Sequence, residues 1–350
     1  MTTKERVLAA LNHQEPDRVP TWTMVDNSDI YRHFAPEGFD FSALIKTEDP
    51  FPSAFHGLYK KTFEALGIDV TFCHLNPFPR EKIEGRTHWR QTPFKDVSDV
   101  VAYEPRIPSY EDIVDDYVKS FREVQKVLEP HTMYIMQGTT AIQYYNVFGL
   151  ELFSIAMYEA PEAITRILDA YSEGHRIQAQ IYAAHRLGPV YQVSCDVGDK
   201  NGTLFSPVYL RKEFIPRLKR EIEPLKEAGI KVIVHSDGNI TGIVDDLVDI
   251  GVDGINPLET SASMDLGLMK KRYGKNLVLI GNVDSANILP FGTPRDVEQD
   301  VKRCIREGAA GGGYFLDTGA AEIMPDVSVE NILSMFDAVK KYGRYPINVD

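Results

Sequence analysis

Read for the spacing of its apolar positions, the chain repeats one unit. A short β-branched run ends abruptly in polar residues, and a segment with apolar residues three and four apart follows. Eight such runs predict strands: Arg18–Met24, Asp69–Leu75, Met133–Gln137, Val190–Asp196, Val232–His235, Gly254–Leu258, Leu277–Gly281 and Gly313–Leu316. Between most of them the helical period predicts helices over Pro161–Leu187, Pro207–Ala228, Ile240–Asp249, Ser263–Lys271 and Thr293–Glu307, with a last helix over Val329–Lys341. Ahead of the first strand, Thr2 and Glu5 form a capping-box pattern before Val7, Leu8 and Leu11, which predicts a short amphipathic helix that EPDRVP ends.

Strands alternating with helices imply a parallel sheet with right-handed crossovers, and eight units predict an α/β fold, a TIM-like (β/α)8 barrel. An open doubly wound sheet is the alternative, but no G-x-G-x-x-G follows any strand. The connection from Asn76 to His131 is too long for a simple repeat. Its KIEGRTHWRQTPF stretch reads as a small hairpin and Ser109–Leu128 as a helix, an excursion after strand 2 that predicts a lid or an interface element. With no Ser/Gly linker and no low-complexity tract, residues 1–350 are expected to form one domain.

In a barrel all strand carboxyl ends open on one face, where barrel enzymes keep their chemistry. Here those ends deliver Asp26; His74 and Asn76; Gln137; Ser194, Cys195, Asp196 and Asp199; His235 and Asp237; Glu259; Asn282 and Asp284; and Asp317 and Thr318. The sharpest is KVIVHSDGN, Lys231–Asn239, where a buried-strand pattern stops at a histidine and a carboxylate before Gly238 turns the chain. Any one polar residue after a strand is an ordinary turn former. Several carboxylates in one cavity repel and raise each other's pKa values, and a divalent cation relieves that repulsion. One imidazole and two carboxylates with an open position suit catalytic zinc, so His235, Glu259 and Asp237 are the expected ligands. Cys195 could add a thiolate, though a lone cysteine on a buried strand is more often core, as expected also for Cys73 and Cys304. Trp22, Tyr144, Tyr145 and Phe148 either pack the core or line a flat apolar pocket.

Composition narrows the partners. A formal charge of −13 over 350 residues argues against nucleic acid, anionic membranes and polyanionic substrates. Three scattered cysteines form no CxxC pair, which excludes a disulfide framework and suits a reducing cytoplasm. No apolar run reaches the roughly 20 residues that cross a bilayer, and MTTKERVLAAL lacks a signal-peptide core, so a soluble, cytoplasmic protein is expected.

The opening ERVLAALNHQEPDRVP, the segment GDKNGTLFSPVYLRKEF, and HSDGN followed by INPLE and LIGNVD together resemble the uroporphyrinogen decarboxylase superfamily, from Glu5 to about Lys341. The resemblance implies a TIM-like barrel and leaves the activity open. The superfamily's decarboxylases bind a polycarboxylate tetrapyrrole through an arginine-rich segment after strand one. Here that position reads TWTMVDNSDIYRHF, with Arg32 the only nearby arginine, and DTGAAE stands where they carry a histidine. The superfamily's other branch holds zinc methyltransferases that work with corrinoid proteins. Their His-x-Cys motif and glutamate match His235 and Glu259, with Asp237 in place of the first cysteine. The second cysteine falls near Ala320, where Glu322 or Asp317 could substitute.

A hard ligand set suits a Lewis acid acting on oxygen better than one activating a thiol. The resemblance therefore implies a zinc-dependent methyltransferase that moves a methyl group from a small methoxylated aromatic (an aryl methyl ether) to the cobalt of a corrinoid (cobalamin) partner protein. A methylcobamide:thiol methyltransferase is the alternative, and a uroporphyrinogen decarboxylase or a non-catalytic binding barrel follows behind. The expected catalytic groups are Asp237, Asp196 and Asn282. Trp22, Gln137, Tyr144, Tyr145, Asp199 and Asp317 are expected to contact substrate. A homodimer is compatible with the sequence, which does not fix the oligomeric state.

Overall fold

The computed structural model describes residues 1–41, 53–73 and 94–349. Eight segments place the chemistry: β1 (Met24–Val25), β2 (Val70–Cys73), β3 (Met133–Thr139), β4 (Val190–Ser194), β5 (Lys231–His235), β6 (Gly254–Asn256), β7 (Val278–Ile280) and β8 (Tyr314–Phe315). The last seven form one parallel sheet, in the spatial order β8-β7-β6-β5-β4-β3-β2. The segment just before β1 closes it. Thr21 bridges Leu316 beside β8 and Trp22 bridges Val70 of β2, both parallel, so the two sheet edges meet across one strand. β1 itself continues upward and pairs in parallel with Glu322–Ile323. The expected TIM-like architecture is present.

Side-chain alternation sorts each strand into two faces. Trp22, Val70, Phe72, Ile135, Val190, Ile233, Val278, Ile280 and Phe315 point inward and pack into one apolar plug. Helix Thr3–Leu11 stoppers it from the amino-terminal end with Val7, Ala10 and Leu11, and the Thr2/Glu5 capping box starts that helix as predicted. Trp22 is wholly buried, stands edge-on to Phe315 and donates its indole N–H to Gln192 Oε1 at 3.1 Å. Burying an aromatic of this size contributes about 2–3 kcal/mol. Beneath the plug, buried Asp69 accepts from Arg6, Arg18 and Thr21 N, tying helix, closing strand and β2 together. The outward faces of the strands, such as Tyr191, Val193, Val232 and Val234, pack under the helices.

Helices Pro161–Ala184, Pro294–Gly308 and Val329–Tyr342 fall where the period predicts. The segment predicted as one helix from Pro207 runs Pro207–Tyr209, a π turn over Leu210–Phe214, then Ile215–Glu227. Pro216 has no N–H to donate, which accounts for the looser turn before it. The helix expected from Ile240 begins at Val244, because Asn239 Oδ1 accepts from Thr241 N and Oγ1 and holds a local turn first. The helix expected from Ser263 likewise spans Leu266–Tyr273, behind its Asp265 cap.

Most of the predicted hairpin after strand 2 lies outside the described residues, as do His74 and Asn76. Helices Val97–Ala102 and Tyr110–Leu128 follow, the second opened by a Ser109/Asp112 capping box. Among the described residues no helix is long and apolar enough to cross a membrane.

Candidate metal centre

Above the apolar plug the inward positions turn polar. Counting two residues on from the plug-forming members of β3, β4, β5 and β8 gives Gln137, Gln192, His235 and Asp317, and Asn256 ends β6. His235 is 8% exposed, with Nε2 3.3 Å from Asp196 Oδ1 and 3.9 Å from Asp237 Oδ1. Its Nδ1 lies 2.9 Å from Asn256 Oδ1. Asn256 Nδ2 donates to Asp317 Oδ2 at 3.1 Å, which turns the amide oxygen toward the ring and makes Nδ1 the donor. Nε2 is therefore the atom presented to the two aspartates. Metal-ligating histidines are commonly oriented in this way, through the other ring nitrogen.

Asp196 follows β4 with φ +39°, a left-handed conformation that costs a non-glycine residue about 1–2 kcal/mol. That turn is braced: Gln143 Nε2 donates to Oδ2 at 2.6 Å, Asp237 N to Oδ1 at 3.3 Å, and Tyr145 Oη to the Asp196 carbonyl at 2.6 Å. Asp237 is more open, with a side chain 56% exposed. The two loops touch backbone to backbone. A Cβ on Gly198 would lie 2.4 Å from the Asp237 carbonyl oxygen, and one on Gly238, at φ +76°, would lie 2.4 Å from the Gly198 carbonyl carbon. Only glycine fits either place.

The charges respond to each other. Burial works against a proton on His235, but its hydrogen bond to Asp196, the charge of Asp196 and then that of Asp237 outweigh it, and the pKa is pushed up to about 10. Burial likewise opposes ionisation of Asp196, yet His235 holds this carboxyl below its usual range. Burial raises Asp317 to about 8, against hydrogen bonds from Thr23, Thr318 N and Asn256. Burial, then the charges of Asp26 and Asp237, raise Glu322 to about 7. Asp196 and Asp237 thus act on the imidazole directly, and Asp317 and Glu322 lie near enough to respond to its charge.

Asp196, His235 and Asp237 each offer a ligand atom within 4.8 Å of the others, the one such group of three among the described residues. Zinc bonds of about 2.0–2.2 Å in tetrahedral geometry set ligand atoms roughly 3.3–3.6 Å apart. The 3.3 and 3.9 Å from Nε2 need a closure of only a few tenths of an ångström, and the two carboxylates offer oxygens within 4.8 Å of each other. The donor set fits a divalent cation with open positions.

The three side chains that converge are not the three expected as ligands. Glu259 lies outside this group: Oε2 accepts from Gly238 N at 2.8 Å and Oε1 from Ser261 Oγ, so it braces the His235–Gly238 turn. Asp196, expected as a catalytic group, is the third member of the cluster. Asn282 is 1% exposed and its amide serves the framework, donating to Leu258 O and Met264 O and accepting from Arg303. Trp22 belongs to the plug, wholly buried with its N–H on Gln192. Asp199 is an exposed turn residue whose Oδ1 accepts from Asn201 N at 2.6 Å. Tyr145 positions Asp196, and Tyr144 stacks on Tyr171 within an aromatic cluster. Asp317 reaches the site through Asn256. Cys195 is buried, and its thiol, pushed up by burial, donates to the His235 carbonyl at 3.4 Å and stands outside the cluster. Of the expected substrate contacts, Gln137 stays at the floor of the mouth. Sequence reading passed over Asn256 and Gln143. The inward phase of GIN at the end of β6 was a signal for Asn256, whereas nothing local marks Gln143.

The sequence pattern defining uroporphyrinogen decarboxylase (URO-D) matches residues 81–342. The uroporphyrinogen decarboxylase of Magnetococcus marinus is 24% identical, with 98% of this chain and 98% of that protein aligned. That of Xylella fastidiosa is 20% identical over 98% and 100%. A methyltransferase from Methanosarcina mazei has a similar structure, with TM-score 0.69, 17% identity and coverage of 98% of this chain and 99% of that one. A B12-independent methionine synthase from Shewanella sp. W3-18-1 follows at TM-score 0.50, 15% identity and coverage of 93% and 94%. At such identities the structural likeness establishes the shared fold. With three quarters of its length matched by the family pattern, the chain belongs to the uroporphyrinogen decarboxylase (URO-D) family.

Proposed function

We propose that this protein is a methyltransferase that binds zinc through His235, Asp196 and Asp237 and moves a methyl group from a methoxylated aromatic compound to the cobalt of a corrinoid protein. The observation that carries the reading is the convergence of those three side chains, with His235 Nδ1 tied to Asn256 and Nε2 left facing the aspartates. The full-length likeness to a methyltransferase supports it. When bound, zinc supplies Lewis acidity to the ether oxygen as its bond to the methyl carbon breaks. The chain's residues do the rest. Asn256, itself held by Asp317, fixes the imidazole tautomer. Gln143 and Tyr145 hold Asp196 in its left-handed turn. Asp237, the exposed member, meets the incoming ligand. The methyl carbon leaves oxygen with its bonding pair remaining on oxygen, and the departing oxygen takes up one proton. Glu322, protonated up to about pH 7, offers that proton at the same mouth.

The test mixes zinc-loaded protein with cob(I)alamin and a panel of methoxylated aromatics and follows methylcobalt formation by absorbance. Asp237→Ala should lower the rate by roughly ten- to ten-thousand-fold. If methylcobalt is instead consumed when thiols are added, and no ether reacts, thiol methylation is the activity.

A second reading, uroporphyrinogen decarboxylase, is favoured by the full-length relatives of that name. Against it stands the make-up of the mouth: Asp196 and Asp237 act on His235 with negative charge, and Asp317 and Glu322 add acidic groups there rather than cations. Arg32 is also engaged, paired with Asp29 and lying over the Phe41 ring. A polycarboxylate entering such a mouth meets repulsion. Uroporphyrinogen should be neither bound nor converted, and coproporphyrinogen formed above background would reverse the assignment.

A further inference from the structure

The layer between the apolar plug and His235 holds two buried amides with unmet hydrogen-bonding capacity. Gln137 and Gln192 are register partners on β3 and β4. Each is two residues on from a plug residue, Ile135 or Val190, so both side chains point into the barrel. Gln137 is 4% exposed and Gln192 fully buried. The orientation of Gln192 is set, because Oε1 accepts from Trp22 Nε1 and Nε2 must face away. That Nε2 has no partner, and neither has Gln137 Oε1. A buried polar atom left unmet costs about 1–3 kcal/mol, so a donor and an acceptor left open on register-paired residues point to a group that satisfies both.

We infer that Gln137 and Gln192 form a hydroxyl-binding subsite on the floor of the mouth, and that the substrate, under the methyl-transfer reading, is a methoxylated phenol. A hydroxyl is the smallest group that donates to Gln137 Oε1 while accepting from Gln192 Nε2. Depth fixes where on the ring it lies. Gln192 is opposite Ile233, one inward step below the Ser194–His235 pair. Two residues along a strand are about 6–7 Å, or roughly 5 Å of depth at the usual barrel tilt of about 36°. Two oxygens para to each other on one benzene ring span that depth. Oxygens ortho to each other do not.

The test is binding without turnover. The affinities of 4-methoxyphenol and 1,4-dimethoxybenzene for the zinc-loaded full chain are measured by calorimetry, with no corrinoid present. 4-Methoxyphenol should bind about tenfold tighter or better, since a site built to hydrogen-bond a hydroxyl rejects the analogue that lacks its donor. It should also outbind 2-methoxyphenol. Gln137→Met should erase the preference for the phenol, bringing the affinities of 4-methoxyphenol and 1,4-dimethoxybenzene together. Gln192→Met strands the Trp22 N–H, so the second variant is the Trp22→Phe, Gln192→Met double change, which removes both partners and should likewise erase the preference. Equal binding of the two probes by the unaltered protein, or a preference that survives in both variants, overturns the subsite, as does binding of neither probe at millimolar concentration. Phenol-selective binding with no methyl transfer to added cob(I)alamin leaves the subsite standing and removes the methyl-transfer reading. Methyl transfer from both probes with equal KM does the reverse.

Discussion

Metal binding at this centre must compete with a proton, and that competition is measurable. With its pKa at about 10, His235 holds the imidazolium form at neutral pH. At pH 7 only about one molecule in a thousand has Nε2 free, a penalty of roughly 4 kcal/mol against zinc. One proton therefore leaves for each zinc that binds, and the apparent association constant should rise about tenfold per pH unit, or roughly thirty-fold from pH 6.5 to 8. The assay titrates zinc against a chromophoric chelator at fixed ionic strength across that range. Calorimetry in buffers of different ionisation enthalpy counts the proton independently. Asp196→Asn removes the charge and hydrogen bond that raise His235, so burial brings its pKa down; the variant should bind more weakly, with a flatter pH slope. The metal-free protein carries the matching stability signature. A histidine raised above its unfolded value of about 6.5 contributes stability fully present below that pH and lost as pH rises toward 10. An affinity that does not change from pH 6.5 to 8, with no proton released, would refute the imidazolium assignment.

Zinc content should separate ligand from brace: His235→Ala and Asp196→Ala should purify with far less than one zinc per chain, while Glu259→Gln should retain it, as metal analysis will show. Asn282→Ala removes two buried hydrogen bonds and a part-buried one and should cost about 3 kcal/mol in denaturant unfolding, with turnover per folded molecule unchanged. Glu221 is 3% exposed and accepts from Ala141 N at 3.3 Å. Burial raises its pKa to about 7, so the stability that its protonated form preserves is lost as pH rises from about 4.5 through 7. Glu221→Gln should therefore gain about 2–3 kcal/mol on the parent between pH 5 and pH 8, read as a melting-temperature gap widening by about 3–4 °C for a chain of this length. A gap that stays constant with pH would show that Glu221 does not titrate as a buried acid.

The strands of this barrel were legible because a fully buried parallel strand writes a continuous apolar run, and VYQVS, KVIVH and VLI all do so. Short helices such as Ser28–Phe34 and Leu150–Glu159 were not, since seven to ten residues barely complete two helical turns of pattern. Which polar strand ends would meet was harder to read. His235 and Asp237 announce themselves by following an apolar run, but Asp196 and Glu259 look alike in sequence. Only the third dimension shows Glu259 turned to the Gly238 amide and Asp196 turned to the imidazole. Trp22 misled for a related reason. An aromatic on an inward strand position fills either a pocket or a plug, and the residues that decide, Phe315 and Gln192, lie 170 or more positions away.

The crossing of Gly198 and Gly238 bears on how such a centre changes over time. Because the two peptide planes rest on each other, Asp196 and Asp237 are spaced by main chain rather than by the rotamers of their neighbours. Exchanging a ligand side chain, aspartate for cysteine or the reverse, leaves that spacing intact and alters only which metal or substrate is preferred. Adding one methyl group to either glycine would pry the loops apart and spoil the site for every metal at once. The chemistry of the centre is thus free to drift one residue at a time, while its scaffold is inherited whole.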